Sequence, residues 1–142
     1  MASENVEALR RLIDAFNRHD VRGVVDCCDP AIELHSTFAR IGGADYQGHA
    51  GVRRWYGDLE REWHDPSSEL EAIYELGENV LAMTVFRGRG TQSGAEAELP
   101  GAVITRASGG RLVYFKAIAH REDALAELGV SEDALGPRMV QG

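Results

Sequence analysis

Cysteine is almost missing from this chain of 142 residues: there are two, Cys27 and Cys28, and they are adjacent. Neighbouring cysteines rarely bridge each other, and no third thiol is present to pair with. A disulfide framework is therefore excluded, and reduced, buried thiols in a cytoplasmic protein are expected. Long apolar runs are missing as well. No window approaches the roughly 18 apolar residues a membrane span needs. The opening Met1-Ala2-Ser3-Glu4-Asn5 lacks the basic and apolar regions of a signal peptide. Positive charge is scarce: 15 Lys and Arg stand against 23 Asp and Glu, a net charge of -8. Such a surface repels phosphate backbones and anionic headgroups, so neither nucleic acid nor membrane is expected as a partner.

Motifs that hold cofactors are absent too. None of His19, His35, His49, His64 and His120 falls in a His-Glu-x-x-His spacing, and the paired cysteines lack the usual two-residue gap, so no metal is expected. Gly42, Gly43 and Gly48 lack the strand-to-helix context of a phosphate loop or dinucleotide fingerprint, and no cofactor is expected. The Gly-x-Ser-x-Gly elbow of acyl-transfer enzymes does not occur.

What is present is a core: 44% of the residues are hydrophobic, enough for one domain, placed at 1–130 with a tail at 131–142. Val6, Leu9, Leu12, Ile13 and Phe16 recur every three or four residues and predict a helix over Ser3–Arg18, with Ser3 as its N-cap. Asp20 opens a shorter helix that Pro30 ends. Residues 31–37 alternate as a strand, a glycine-rich loop covers Arg40–Gly48, and a third helix runs from His49 to Trp63 until Asp65-Pro66-Ser67 turns the chain. Four strand-like runs follow, at Glu69–Leu76, Val80–Arg89, Glu96–Arg106 and Arg111–His120. Turns are expected at Gly77-Glu78-Asn79 and Ser108-Gly109-Gly110. Pro100 marks an edge or a bulge. A short helix, Glu122–Leu128, is closed by Gly129. Helices first and meandering strands later give an α+β class, with three N-terminal helices on one face of a strongly curved, mostly antiparallel sheet. The open end of such a cone is a natural pocket. If Tyr114 and Ile118 point inward, Val113, Phe115, Ala117 and Ala119 form an exposed apolar face, and a homodimer through the sheet follows.

The stretch Asp29-Pro30-Ala31-Ile32-Glu33-Leu34-His35-Ser36 draws attention. Glu33 and His35 are two apart, so in a strand they share a face. Two ionisable groups on one strand face either reach water at an edge or line a cavity, and the surrounding pattern favours a cavity.

Several short segments together identify a resemblance: Ala15-Phe16-Asn17-Arg18-His19-Asp20, Asp29 to His35, Tyr46-Gln47-Gly48-His49-Ala50-Gly51-Val52, Gly110-Arg111-Leu112-Val113 and Arg121-Glu122-Asp123-Ala124-Leu125. In order and spacing they resemble the SnoaL-like family of the nuclear transport factor 2-like, ketosteroid isomerase-like superfamily, over about Val6 to Gly129. The resemblance implies the cone-shaped, cystatin-like fold. That fold is similar in isomerases, polyketide cyclases, epoxide hydrolases, binding proteins and transport factors, and so implies no single reaction. By similarity to ketosteroid isomerase, His35 falls where that enzyme has its aspartate base. The isomerase's two oxyanion donors fall at Leu12 and near Ala102, which cannot serve. Arg87 and Arg89 lack the aspartates of the limonene epoxide hydrolase arrangement.

The expected function is binding of a small, mostly apolar or polycyclic organic molecule in the pocket. If chemistry accompanies it, it is cofactor-free acid–base work: isomerisation, aldol cyclisation or (de)hydration. His35 would move the proton and Glu33 would orient it. Tyr46, Trp55, Trp63, Phe86, Arg87, Glu98, Tyr114 and His120 are the candidate ligand contacts, with Tyr46 or Tyr114 as donors to developing oxygen charge. The alternatives are a binding protein without chemistry, or an accessory dimerisation domain whose pocket is packed shut.

Overall fold

The fold was established from a computed structural model, which describes residues 3–36 and 45–135. Most of the glycine-rich loop, including Gly42 and Gly43, and the end of the tail lie outside the described residues.

Helix α1 (Glu4–Asn17) begins where Ser3 Oγ accepts the Val6 N–H at 3.2 Å, with Glu4 and Glu7 in the first turn favouring the positive end of the helix. Its buried stripe is Val6, Leu9, Leu12, Ile13 and Phe16, as the periodicity predicts. Helix α2 (Val21–Asp26) is capped by Asp20 and ends before Pro30, which instead lies within strand β1 (Cys28–Ser36). There the pairing is irregular between Cys28 and Glu33, so the proline meets no regular ladder. Strand β2 (Asp45–Gln47) leads into helix α3 (Gly48–Glu62). His49 Nε2 lies 2.7 Å from the Cys28 carbonyl and ties the start of α3 to the start of β1.

Strand β3 (Trp63–Leu76) begins directly after α3. The expected turn at Asp65-Pro66-Ser67 is an irregularity inside this strand, between His64 and Ser67, with Asp65 at φ 50°. Strands β4 (Asn79–Gly90), β5 (Glu96–Ser108) and β6 (Arg111–Ile118) complete an antiparallel meander. The sheet order is β2-β1-β6-β5-β4-β3, and only β1 and β6 run parallel. Gly109 and Gly110 have φ of 60° and 80°, the positive values a two-residue hairpin demands. No bulge forms at Pro100: it pairs in register with Val85 and lies beyond the last β6 partner, Ala102 opposite Ile118. The sheet's irregularities fall at Cys28/Glu33, His64/Ser67, Leu70/Ala72 and Arg106/Ala107. They occur where a strand must bend or rotate.

Two apolar layers result. The main core lies between α1, α2, α3 and one sheet face. On the other face, Leu81, Ala102, Ile104 and Ile118 are covered by helix α4 (Arg121–Leu128) through Ala124, with Leu125, Leu128 and Leu135 beside it. Arg121 pins α4 to the sheet, donating to the Gly101 and Thr84 carbonyls at 2.9 and 2.8 Å and to Glu71 at 2.6 Å. This arrangement reverses the expected faces of β6. Phe115 and Ala117 point into the main core, while Tyr114 and Ile118 lie on the α4 side. Phe115 and Ala117 are buried, so the exposed apolar face from which a sheet-mediated dimer was inferred is not present. No helix of the described residues is long and apolar enough to cross a membrane.

Candidate functional site: an apolar cavity under α1 and α3

The main core is incompletely filled. A cavity of about 40 Å³ lies between α1, α3 and the inner sheet face. Leu12, Ile13 and Phe16 reach it from α1, and Trp55 and Leu59 from α3. The sheet contributes Ser36, Ser68, Thr84, Phe86, Val103, Phe115 and Ala117. These positions follow from period two: Ser36 shares its face with Ile32 and Leu34, and Thr84 with Ala82 and Phe86. The aromatic walls support one another. Trp55 packs against Phe16 and Phe115 with centroids 5.7 and 5.5 Å apart. Among the described residues twelve side chains line the cavity, and none of these ionises near neutral pH. A void of this size has room for one or two waters, and its walls are mostly apolar, with the hydroxyls of Ser36, Ser68 and Thr84 among them.

Of the sequence candidates, Trp55 and Phe86 line this cavity. Trp63 stands behind Phe86, edge-on at 5.4 Å. Glu33 and His35 do not reach it. They occupy the opposite face of β1, where His35 Nδ1 lies 2.6 Å from Asp45 Oδ1, Nε2 lies 3.6 Å from Glu33 Oε2, and the ring leans on Tyr114. The reason is desolvation: Ile32, Leu34 and Ser36 are buried inward, and the alternation leaves the ionisable pair on the wetter side. Tyr114 is on that outer face as well, under the Arg106 guanidinium 4.0 Å from its ring centre. Burial raises its hydroxyl pKa, and Glu127 pushes the same way.

Arg87 and Glu98 form an exposed network with Glu69: Arg87 donates to Glu69 at 2.7 Å and to Glu98 at 3.1 Å, which raises the arginine's pKa further. Arg87 is no partner for Glu33, since β5 and β6 stand between β4 and β1. His120 is exposed at the N-cap of α4. Tyr46 is buried, but its hydroxyl donates to Asp58 Oδ2 at 2.7 Å rather than toward a ligand. Burial raises its pKa, with Arg54 and Arg61 pulling back.

Sequence reasoning overlooked Asp58, which is only 1% exposed and is held by Tyr46 and by an ion pair with Arg61. Its signal was available: it sits three residues after Trp55, on the apolar arc of α3. Ser36, Ser68 and Thr84 were missed for another reason. Small hydroxyls are unremarkable in a strand until the face they occupy is known. Near the cavity, Tyr56 shares a 3.2 Å hydrogen bond with His19 Nδ1, and burial pushes its pKa up to about 12. Cys28 is likewise pushed up to about 12 by burial, so the thiol is inert near neutral pH. Among the described residues no group of His, Cys, Asp and Glu could hold a metal ion.

A family model for the SnoaL-like domain matches residues 9–115. The chain belongs to the SnoaL-like family. No functionally curated relative matches it by sequence. Among solved structures, it is similar to an NTF2-like protein of unknown function from Burkholderia pseudomallei K96243. The TM-score is 0.75 at 20% identity, over 88% of this chain and 97% of that one. It is equally similar to TerC, co-crystallised with polyporic acid, at TM-score 0.75 and 20% identity, over 89% and 98%. A third is a Mycobacterium tuberculosis protein in complex with estradiol-17β-hemisuccinate, at TM-score 0.68 and 12% identity, over 82% and 93%. These likenesses show the nuclear transport factor 2-like fold of this SnoaL-like chain.

Proposed function

We propose that this SnoaL-like protein binds a small, neutral, largely apolar organic molecule in the cavity beneath α1 and α3, without performing acid–base chemistry there. One observation carries this reading: among the described residues twelve line the cavity, and none of those twelve titrates near neutral pH. A proton-transfer site needs a group poised near the working pH within hydrogen-bond reach of the substrate. His35 and Glu33, the residues chosen for that work from sequence, stand on the far side of the sheet. A binding site needs apolar walls with a few neutral polar groups, and Ser36, Ser68 and Thr84 among aromatic rings fit that description. Two proteins of similar fold crystallised with polyporic acid and with estradiol-17β-hemisuccinate agree on a largely apolar body only, since both of those ligands also carry an acid group. A cavity of about 40 Å³ must widen to admit such compounds.

The test is a thermal-shift screen with neutral aromatic and alicyclic compounds, followed by calorimetry. A ligand present at about a hundred times its Kd stabilises by about 2.7 kcal/mol. Val103→Phe, which places a ring in the cavity, removes the shift, while His35→Ala retains it. A ligand whose shift vanishes in His35→Ala, or that is converted to product by wild type and not by that variant, overturns the reading in favour of an outer-face acid–base enzyme.

A further inference from the structure

The interior cavity borders a groove on the surface of the molecule. Ile13 and Ser68 line both the cavity and a groove of about 360 Å³ on the surface between α1 and β3. Asp14, Asn17, Ser67, Glu69, Leu70 and Arg87 complete the groove. At this border Asn17 joins α1 to β3 with two bonds. Its Nδ2 donates to the Ser68 carbonyl at 2.8 Å, and the Ser68 N–H donates to its Oδ1 at 2.8 Å. β3 is the edge strand of the sheet, so the side-chain amide takes the place of a missing neighbouring strand. Both bonds lie at exposed positions, where water can replace them. The clasp is thus a contact that can open without unfolding the core behind it.

We propose that the cavity and the groove form one ligand channel, gated by the Asn17–Ser68 clasp, which takes a molecule with an apolar body and a neutral or cationic polar end. This rests on the reading of the interior as a binding site. Joined, the two spaces hold roughly 400 Å³, within the ~300–1,000 Å³ of small-molecule sites. The inner part is apolar and receives the body. The outer part sets the polar end. Among the described residues that line it, Asp14 and Glu69 face it with one cation, Arg87, which Glu69 and Glu98 already hold. An anion there meets excess negative charge and an occupied guanidinium, on a chain of net charge -8.

The experiment uses the full chain carrying Trp63→Phe, which leaves Trp55 in the cavity wall as the sole tryptophan. Stopped-flow energy transfer from Trp55 to the neutral probe phenylnaphthylamine reports arrival in the cavity. Asn17→Ala raises the association rate by about fivefold or more, because opening no longer limits entry. Asn17→Asp keeps the acceptor for the Ser68 N–H but loses the donor, and gives an intermediate rate. It also supplies the comparison if Asn17→Ala does not fold. The anionic relative anilinonaphthalene sulfonate binds about tenfold or more weakly than the neutral probe. Equal association rates in all variants, with energy transfer intact, overturn the gate and leave the binding reading standing. A sulfonate that binds as tightly as the neutral probe overturns the ligand class. No energy transfer in any variant overturns the binding reading, and the channel with it.

Discussion

Filling the cavity offers the sharpest check on its existence and its use. Ala117 is 6% exposed on β6, with Val103 opposite on β5 and Ser36 opposite on β1, and its side chain faces the void. Ala117→Val adds two methyl groups at a strand position that suits a β-branched residue. A void of about 40 Å³, at ~24 cal/mol per Å³, corresponds to about 1 kcal/mol of unrealised packing. If the methyls enter the void, the variant gains up to about 1 kcal/mol, seen as a rise of about 3 °C in Tm. Ligand-induced thermal shifts fall at the same time, because the space is gone. The assays are urea unfolding followed by Trp fluorescence, and the thermal-shift screen in parallel. Overpacking in a site already full costs about 1–3 kcal/mol instead. A loss of that size, with ligand shifts intact, would refute both the void and its role.

Further outcomes are expected elsewhere. Tyr46→Phe removes the donor to buried Asp58 and costs about 1.5–3 kcal/mol in urea unfolding, as hydrogen bonds to charged groups do. His35→Ala breaks the contact with exposed Asp45 and changes stability by no more than about 1 kcal/mol, with ligand shifts unaltered. Tyr56, with its pKa pushed up to about 12, keeps its proton in the folded state to higher pH than in the unfolded chain. Its contribution is full below the unfolded tyrosine pKa near 10 and is lost as pH rises through about 12. Tyr56→Phe removes that part of the alkaline loss in a pH series of melting curves. Cys28, also at about 12, resists alkylation at pH 8 in native protein and reacts in urea.

Secondary structure was legible because its causes are local. The apolar stripe of α1, the cap at Ser3, the Gly109-Gly110 hairpin and the Gly129 terminus each depend on a few neighbouring residues. Asp65-Pro66 misled for a reason equally physical: turn residues also serve an irregular edge strand, and β3 has no second neighbour whose ladder a proline would interrupt. The faces of β6 were not legible. Both alternating sets, Tyr114 and Ile118 against Phe115 and Ala117, are apolar enough to be buried. Only the docking of α4 on one side settles which set meets the helices.

β1 teaches the opposite lesson. Its alternation alone argues for Ile32 and Leu34 inside, and the structure places them there. Of the two readings of the ionisable pair, a cavity or water at a strand edge, the structure has the second: Glu33 and His35 lie on the wetter face of β1. By itself, then, the sequence determined the α+β class, the family, the helix limits to within a few residues, and the absence of familiar cofactor motifs, whereas β2 was read as loop and β3 as starting at Glu69 rather than Trp63. Each of these is written in short-range spacing and residue type. Tertiary structure alone decided that Asp58 is buried against Tyr46, that Glu33 and His35 stand apart from the cavity, and that Asn17 bonds the backbone of Ser68. Those facts depend on elements distant in sequence meeting in space, and no local pattern encodes which of two available faces the rest of the chain will cover.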